Sequence, residues 1–271
     1  MIRWLGLFLL FLTLPAQAEV VLDGGLSQGG VAFGRASAGT RLSFEGRAVR
    51  LSPQGEFVIG VGRDAPRNAT LTIVHADGRS EARSLPIAPR RFDIQRIDGL
   101  PERQVTPRPE DAARIREENA LIADSRTRDT AEALFRSGFI WPAIGPISGV
   151  YGSQRILNGQ ARAPHWGVDV AIATGTPVVA TADAIVSFVH DDMFFTGKTL
   201  LLDHGHGLAS VYSHLSEFTV AAGERVKQGQ VVGKAGATGR ATGPHLHWGI
   251  TWFDVRIDPA LLVPPMPKPG G

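Results

Sequence analysis

The histidines of this chain are concentrated in its second half, and their spacing restricts how that part can fold. Seven of the eight lie between His165 and His247, ends included. His165 and Asp169 are four residues apart, and His245 and His247 are two apart. Side chains two or four residues apart on a β-strand point to the same face of the sheet. Two extended segments that lie across one space would therefore bring these four side chains together.

These side chains have the composition of a metal site. Two neutral imidazoles and one carboxylate are a common ligand set for catalytic Zn²⁺, which keeps a fourth position for water. The same residue types also form the facial triad of non-haem iron enzymes. In that triad the histidine and the acid usually stand two residues apart, whereas His165 and Asp169 stand four apart. We therefore predict zinc as the cofactor.

The segments around these histidines are rich in glycine and in strand-forming residues. Another histidine, His214, lies in the strand-like sequence Tyr212-Ser213-His214-Leu215. Glycine allows positive φ and close approach of the backbone where the floor of a cleft is built. The glycines concerned are Gly167, Gly205, Gly207, Gly239 and Gly243. This pattern indicates a β-rich domain with a polar cleft.

Three blocks of this region, taken together, resemble a known family. They are His165-x₃-Asp169 followed by residues 175–180, residues 203–207 followed by residues 212–215, and residues 229–239 followed by residues 242–247. In order and spacing they are similar to the LytM-type or lysostaphin-like zinc endopeptidases, which cleave peptide bonds in bacterial cell-wall peptidoglycan. Upstream, residues 148–152 and 155–159 resemble the start of this domain in a secreted subgroup that has a β-sandwich ahead of the peptidase.

The resemblance implies a role for five side chains. The family binds zinc through the histidine and aspartate of the first block and the second histidine of the H-x-H, which are His165, Asp169 and His247 here. Its two catalytic histidines that do not bind the metal match His214 and His245. The chain departs from the family at none of these positions. Which of the two catalytic histidines acts as the base stays open.

The residues before this region predict a secreted protein with a small β domain. Residues 1–18 combine Arg3, an apolar run and Ala16-Gln17-Ala18, which is typical of a signal peptide cut near Ala18. After it, short segments rich in β-branched and aromatic residues alternate with turn sequences such as Asp77-Gly78. One of them, residues 43–49, roughly alternates polar and apolar side chains. Such spacing indicates a small β-sandwich.

A helix is predicted between the two β regions. Pro109-Glu110-Asp111 has the composition of a helix start, with proline near the first position and acids in the first turn. We expect the helix to run towards Leu134 and Phe135, with or without a break, and to end at Ser137-Gly138.

The predicted fold class is mainly β. The predicted domains are a signal peptide over residues 1–18, a β-sandwich (Ig-like) domain over 19–99, a linker with a helix over 100–137, a peptidase domain over 138–262 and a proline-rich tail over 263–271. The peptidase domain is expected to be a glycine-rich antiparallel, barrel-like sheet.

Composition excludes several other functions. The chain has no cysteine, which rules out thiol catalysis and disulfides, and its net charge of +2 gives no electrostatic basis for a nucleic-acid partner. Once the signal peptide is cut, no integral membrane segment is expected, and the protein would act in the periplasm or outside the cell. We predict a zinc metalloendopeptidase that hydrolyses stem-peptide cross-links of peptidoglycan. The alternative is a latent or non-hydrolytic wall-binding regulator of other peptidoglycan hydrolases.

Overall fold

The computed structural model describes residues 20–267. The predicted signal peptide and residues 268–271 of the predicted tail lie outside the described residues. The described chain is mainly β, as its sequence predicts. Within it, no helix combines the length and the apolar character that crossing a membrane requires.

The N-terminal part consists of two small sheets. Its strands are β1 (Val20–Asp23), β2 (Leu26–Ser27), β3 (Val31–Ala36), β4 (Arg41–Phe44), β5 (Arg47–Val49), β6 (Glu56–Gly60), β7 (Asn68–Val74) and β8 (Ser80–Ala88). One sheet has the order β1-β3-β6, and the other has the order β2-β8-β7-β4-β5. Buried side chains of both sheets belong to one apolar cluster. This is the arrangement expected of the predicted β-sandwich.

Strand β7 illustrates why these segments fold as they do. Ala69, Leu71 and Ile73 are buried, whereas Asn68 and Thr70, which alternate with them, are exposed. Alternation of this kind places these three apolar side chains on the face that meets the core. Burial of that face is the main source of its stability.

The linker continues from strand β9 (Ile94–Ile97) into helices. They are α1 (Glu102–Val105), α2 (Pro109–Ser125) and a 3₁₀ helix (Leu134–Ser137). The expected start at Pro109 and the expected end at Ser137-Gly138 are both present, but residues 126–133 interrupt the helix. Gly138 follows the last turn with a positive φ of +76°. The apolar periodicity fails over the interruption, where Arg126, Thr127, Arg128 and Asp129 are all polar.

The C-terminal part is an antiparallel sheet with two smaller sheets beside it. Its strands are β10 (Ile147–Gly149), β11 (Gln154–Leu157), β12 (Gln160–Ala161), β13 (Val168–Val170), β14 (Pro177–Val179), β15 (Ala184–Met193), β16 (Gly197–Gly205), β17 (Leu208–Leu215), β18 (Glu217–Phe218), β19 (Arg225–Val226), β20 (Val231–Lys234), β21 (Leu246–Trp252) and β22 (Val255–Ile257). The main sheet has the order β10-β13-β21-β17-β16-β15-β19, and β22 pairs with β21. The smaller sheets have the orders β14-β20-β18 and β12-β11-β9.

Candidate metal centre

Strand register brings the predicted ligands together. Strand β21 lies between β13 and β17 in the main sheet. In this register His247 is opposite Asp169 on β13 and opposite Ser213 on β17. The residue after Ser213 is His214, so three of the predicted site residues meet on three neighbouring strands. His165 is added from the segment just before β13.

Three ligand atoms form a compact triangle. His165 Nε2 lies 2.9 Å from Asp169 Oδ1 and 3.0 Å from His247 Nδ1, and the last two atoms are 2.8 Å apart. His165 Nδ1 lies 3.1 Å from the Val150 carbonyl oxygen. This nitrogen is the donor of that hydrogen bond, so His165 Nε2 keeps its lone pair and points it at the other two atoms.

The donor set fits a metal cation. A carboxylate oxygen and an imidazole lone pair repel each other at such distances unless a positive charge lies between them. Ligand atoms around a tetrahedral zinc ion, each about 2.0–2.1 Å from it, stand roughly 3.3 Å apart. The observed triangle is only a few tenths of an ångström smaller. His165, Asp169 and His247 are also the group that geometry identifies as able to hold a metal, with ligand atoms within 4.8 Å of one another.

His214 and His245 stand beside the triangle with matching orientations. Nδ1 of His214 donates to the Thr238 carbonyl at 2.8 Å, and Nδ1 of His245 donates to the Gly243 carbonyl at 2.8 Å. Their ring centres are 4.6 Å apart. In a neutral ring with this orientation the acceptor atom is Nε2, and that of His245 lies 4.0 Å from Asp169 Oδ1. His214 has a positive φ of +62°, a strained conformation that often occurs at functional sites.

Burial sets the protonation states at this centre. It lowers the pKa of His214 to about 3, with smaller contributions from His247 and His245. It also lowers the pKa of His247 to about 4, against the opposing effect of Asp169. Burial acts to raise the pKa of Asp169, but the rings of His165 and His247 beside its carboxylate hold that pKa well below its usual value. At neutral pH these groups are in the forms that bind a metal.

Two glycines make room for the ligands. A Cβ at Gly149 would lie 2.5 Å from Asp169 Oδ2, and a Cβ at Gly167 would lie 2.4 Å from the Trp248 carbonyl oxygen and 2.8 Å from His247 Cε1. Any other residue at these positions would displace a ligand or its strand. Gly167 was singled out from the sequence, whereas Gly149 was noted only as part of an upstream segment.

Two groups that orient the ligands were not predicted from the sequence. The Val150 carbonyl holds His165, and Arg155 Nη2 contacts Asp169 Oδ2 at 3.3 Å. Arg155 lies in the segment that resembles the start of the family's domain. The resemblance marked the segment, but it did not indicate that Arg155 contacts Asp169. The Val150 group is backbone and leaves no trace in the residue type.

Two other histidines of the region, His204 and His206, serve the core. His204 is fully buried, and its ring contacts the Asp183 carbonyl and the Ser210 hydroxyl. His206 is buried against Phe135 and hydrogen-bonded to the Ala131 carbonyl. Neither lies in the metal-binding triangle.

Comparison with known proteins identifies the family of this region. The model of peptidase family M23 matches residues 163–259. A crystal structure of a peptidase M23 from Pseudomonas aeruginosa is similar with a TM-score of 0.70 and 30% sequence identity, over 88% of this chain and 95% of that one.

Curated relatives match over a shorter range. An uncharacterized metalloprotease of Haemophilus influenzae is 45% identical over 92 residues, which are 34% of this chain and 19% of that protein. The peptidoglycan DD-endopeptidase ShyA of Vibrio cholerae is 41% identical over 86 residues, which are 32% of this chain and 20% of that protein. The chain thus spans about a fifth of the length of each of these two relatives.

Proposed function

Because this chain belongs to peptidase family M23, we propose that it is a zinc-dependent endopeptidase that hydrolyses peptide bonds in the cross-links of peptidoglycan. The observation that supports this most directly is the triangle of three ligand atoms with two histidines beside it. The similarity to the Vibrio cholerae peptidoglycan DD-endopeptidase supports the choice of substrate.

Three side chains would hold the metal. They are His165, Asp169 and His247, whose ligand atoms converge on one point. A zinc ion held there would supply Lewis-acid chemistry, lowering the pKa of bound water to about 7 and polarising the scissile carbonyl. The hydrogen bond from His165 to the Val150 carbonyl fixes the tautomer that this binding needs.

His214 and His245 would act as the general base and the general acid. The Nε2 atom of each ring is an acceptor, because Nδ1 donates to a backbone carbonyl. Either ring can accept a proton from the attacking water, and the ring that has done so can donate to the negative charge that develops. Loss of one such group in other enzymes lowers the rate about 10²–10³-fold.

The predicted location follows from the same proposal. Peptidoglycan lies outside the cytoplasm, and residues 1–18 have the pattern of a cleavable signal peptide. We therefore place the mature protein in the periplasm or outside the cell. Amino-terminal sequencing of the secreted protein should begin at or close to Glu19.

Two sets of variants test the function. In the full chain, His247→Ala and Asp169→Ala should lose zinc and activity, because each removes a ligand. His214→Ala and His245→Ala should keep about one zinc per chain and lose about 10²–10³-fold in turnover. Zinc content is measured by mass spectrometry of the metal, and turnover by release of muropeptides from purified sacculi. A His245→Ala protein that is purified without zinc would contradict the assignment.

The test also separates the hydrolase from a regulator. A zinc-loaded wild-type chain that releases no muropeptide from any type of sacculus would overturn the proposal. Stimulation of another hydrolase by that same chain would then support the wall-binding regulator.

A further inference from the structure

Five arginines line a cavity beside the metal centre. The cavity has a volume of about 510 Å³, and its walls include helix α2 as well as His165, His214 and His247. The arginines, called the arginine cluster below, are Arg126, Arg155, Arg162, Arg240 and Arg256. A space of this size accommodates one or two amino-acid residues of a ligand.

A second cavity meets the first at the same centre. It has a volume of about 300 Å³ and is lined by Asp169 and His245, among others. The two cavities share His214, His247, Arg155 and Arg240. The metal ligands thus lie between them, and a peptide bound across the ligands would place one side of its scissile bond among the arginines.

Two charges of the arginine cluster, those of Arg126 and Arg256, have no paired carboxylate in the described part of the chain. Among residues 20–267, neither the Arg126 nor the Arg256 guanidinium group has a hydrogen bond or an ion pair. Asp254, whose charge reaches Arg256, is paired with Arg47. A third member of the cluster, Arg155, contacts the carboxylate of Asp169, which is itself a metal ligand.

Burial lowers the pKa of two of these arginines, and the neighbouring positive charges add to the effect. Burial lowers the pKa of Arg126 to about 9, and the charge of Arg256 adds to this. Burial likewise lowers the pKa of Arg240 to about 10, with contributions from Arg155 and Arg162. Both of these groups remain protonated at neutral pH, so the cavity keeps their positive charges. Half-buried like charges without counterions are unfavourable unless an anion joins them.

We propose that the arginine cluster is a recognition site for a free carboxylate of the substrate, on the residue next to the bond that is cut. The planar guanidinium group of arginine matches a carboxylate through two parallel hydrogen bonds, and the pairing is strongest where water is excluded. The position of the cluster beside the metal ligands puts this carboxylate close to the scissile bond. The inference rests on the proposed function and names the substrate class of that same site.

The proposal distinguishes between kinds of cross-link. A bond between D-alanine and diaminopimelate has a free carboxylate on the carbon that bears the scissile nitrogen. A glycine bridge has none at that place, and neither does a bond to the side-chain amine of lysine. The site should therefore prefer diaminopimelate cross-links.

The test uses two synthetic cross-linked peptides and the full chain with zinc. D-Alanine is joined to the side-chain amine of diaminopimelate in one and of lysine in the other, so that the two differ only in that carboxylate. We expect a kcat/KM about tenfold to a hundredfold higher for the first, the range of one charged hydrogen bond. Arg126→Gln and Arg256→Gln should each lower kcat/KM for the diaminopimelate peptide and leave the lysine peptide unchanged.

Matched measurements keep the two proposals separate. Arg116→Gln, on the exposed face of helix α2, should change neither value. Calorimetric binding of both peptides to the His214→Ala chain measures recognition without turnover. If the chain binds the diaminopimelate peptide more tightly and the arginine variants abolish that preference, the inference is supported. If in addition neither peptide is hydrolysed, the proposed function fails while the inference stands. Hydrolysis of both peptides at equal rates, with equal binding, would overturn the inference and leave the proposed function intact.

Discussion

A single buried imidazole, His204, should make the stability of this protein depend on pH. Burial lowers its pKa below the ordinary value of 6.5. Above about pH 6.5 neither the folded nor the unfolded chain protonates it, and its contribution to stability is complete. Below that pH the unfolded chain takes up a proton that the folded chain does not, so stability falls by up to about 1.4 kcal/mol per pH unit until the folded-state pKa is reached.

The variant His204→Gln should reduce this dependence. Urea unfolding in EDTA, which removes any contribution of a bound metal, gives the free energy of unfolding between pH 7 and pH 5. We expect a shallower decline for His204→Gln than for the wild type. Ser210→Ala removes the hydroxyl 2.8 Å from His204 Nε2 but no titrating group, so it should lower stability while keeping the wild-type slope. Equal slopes in wild type and His204→Gln would refute the argument.

At the scale of single residues, residue type and spacing predicted the metal-site side chains but not the groups that surround and orient them. His165, Asp169, His245 and His247 could be placed in one space because strand periodicity fixes which side chains share a face. The arginine cluster could not be predicted, because Arg126 and Arg256 are distant in sequence and reach the same cavity only in the folded chain. A lone arginine in a sequence gives no sign of what it will face.

At the scale of elements, helix α2 is more than a connection. Asn119, Ile122 and Ala123 line the arginine cavity, and buried Glu118 holds the helix in place. One carboxylate oxygen of Glu118 accepts a hydrogen bond from the backbone N–H of Phe194 at 2.7 Å, and the other accepts one from Arg114 Nε at 2.6 Å. The helix therefore forms part of the candidate substrate cleft.

Weakening this attachment should loosen the helix. Glu118→Gln keeps the size of the side chain but removes its charge, and a hydrogen bond to a charged group is worth about 1.5–3 kcal/mol. We expect amide hydrogens within residues 112–125 to exchange about tenfold faster or more. Hydrogen–deuterium exchange with mass spectrometry measures this. Glu117→Gln, exposed on the same helix, is the control, and similar exchange in both variants would contradict the role of Glu118.

Element boundaries were harder to predict than element types. Residues 43–49 alternate like one strand, yet the structure turns them back as a hairpin between β4 and β5, with Glu45 and Gly46 at φ +49° and +81°. A two-residue turn with positive φ at both positions suits the twist of the strands. Because glutamate is not a usual residue for that conformation, the turn was not evident from composition.

At the scale of the whole molecule, the two β regions share contacts that tie them together. Phe44 packs edge-on against Trp252 with ring centres 6.1 Å apart, and a Cβ at Gly60 would lie 2.7 Å from Trp252 Cβ. Arg90 forms an ion pair of 2.7 Å with buried Asp258. The sequence predicted the order of the regions but not this interface, because apolar residues such as Trp252 do not reveal which neighbour they will pack against.

The interface predicts that the two regions unfold together. Ile73 is fully buried in the N-terminal sheets, and Ile73→Ala should lower the free energy of unfolding by about 2–5 kcal/mol. All tryptophans of the described chain, Trp141, Trp166, Trp248 and Trp252, lie in the C-terminal part, so their fluorescence reports on that part and, through Trp252, on its contact with Phe44. If unfolding is cooperative, Ile73→Ala shifts the fluorescence midpoint in urea, whereas Thr70→Ala, exposed on the same strand, leaves it nearly unchanged. An unshifted tryptophan transition in Ile73→Ala would mean that the peptidase region unfolds on its own.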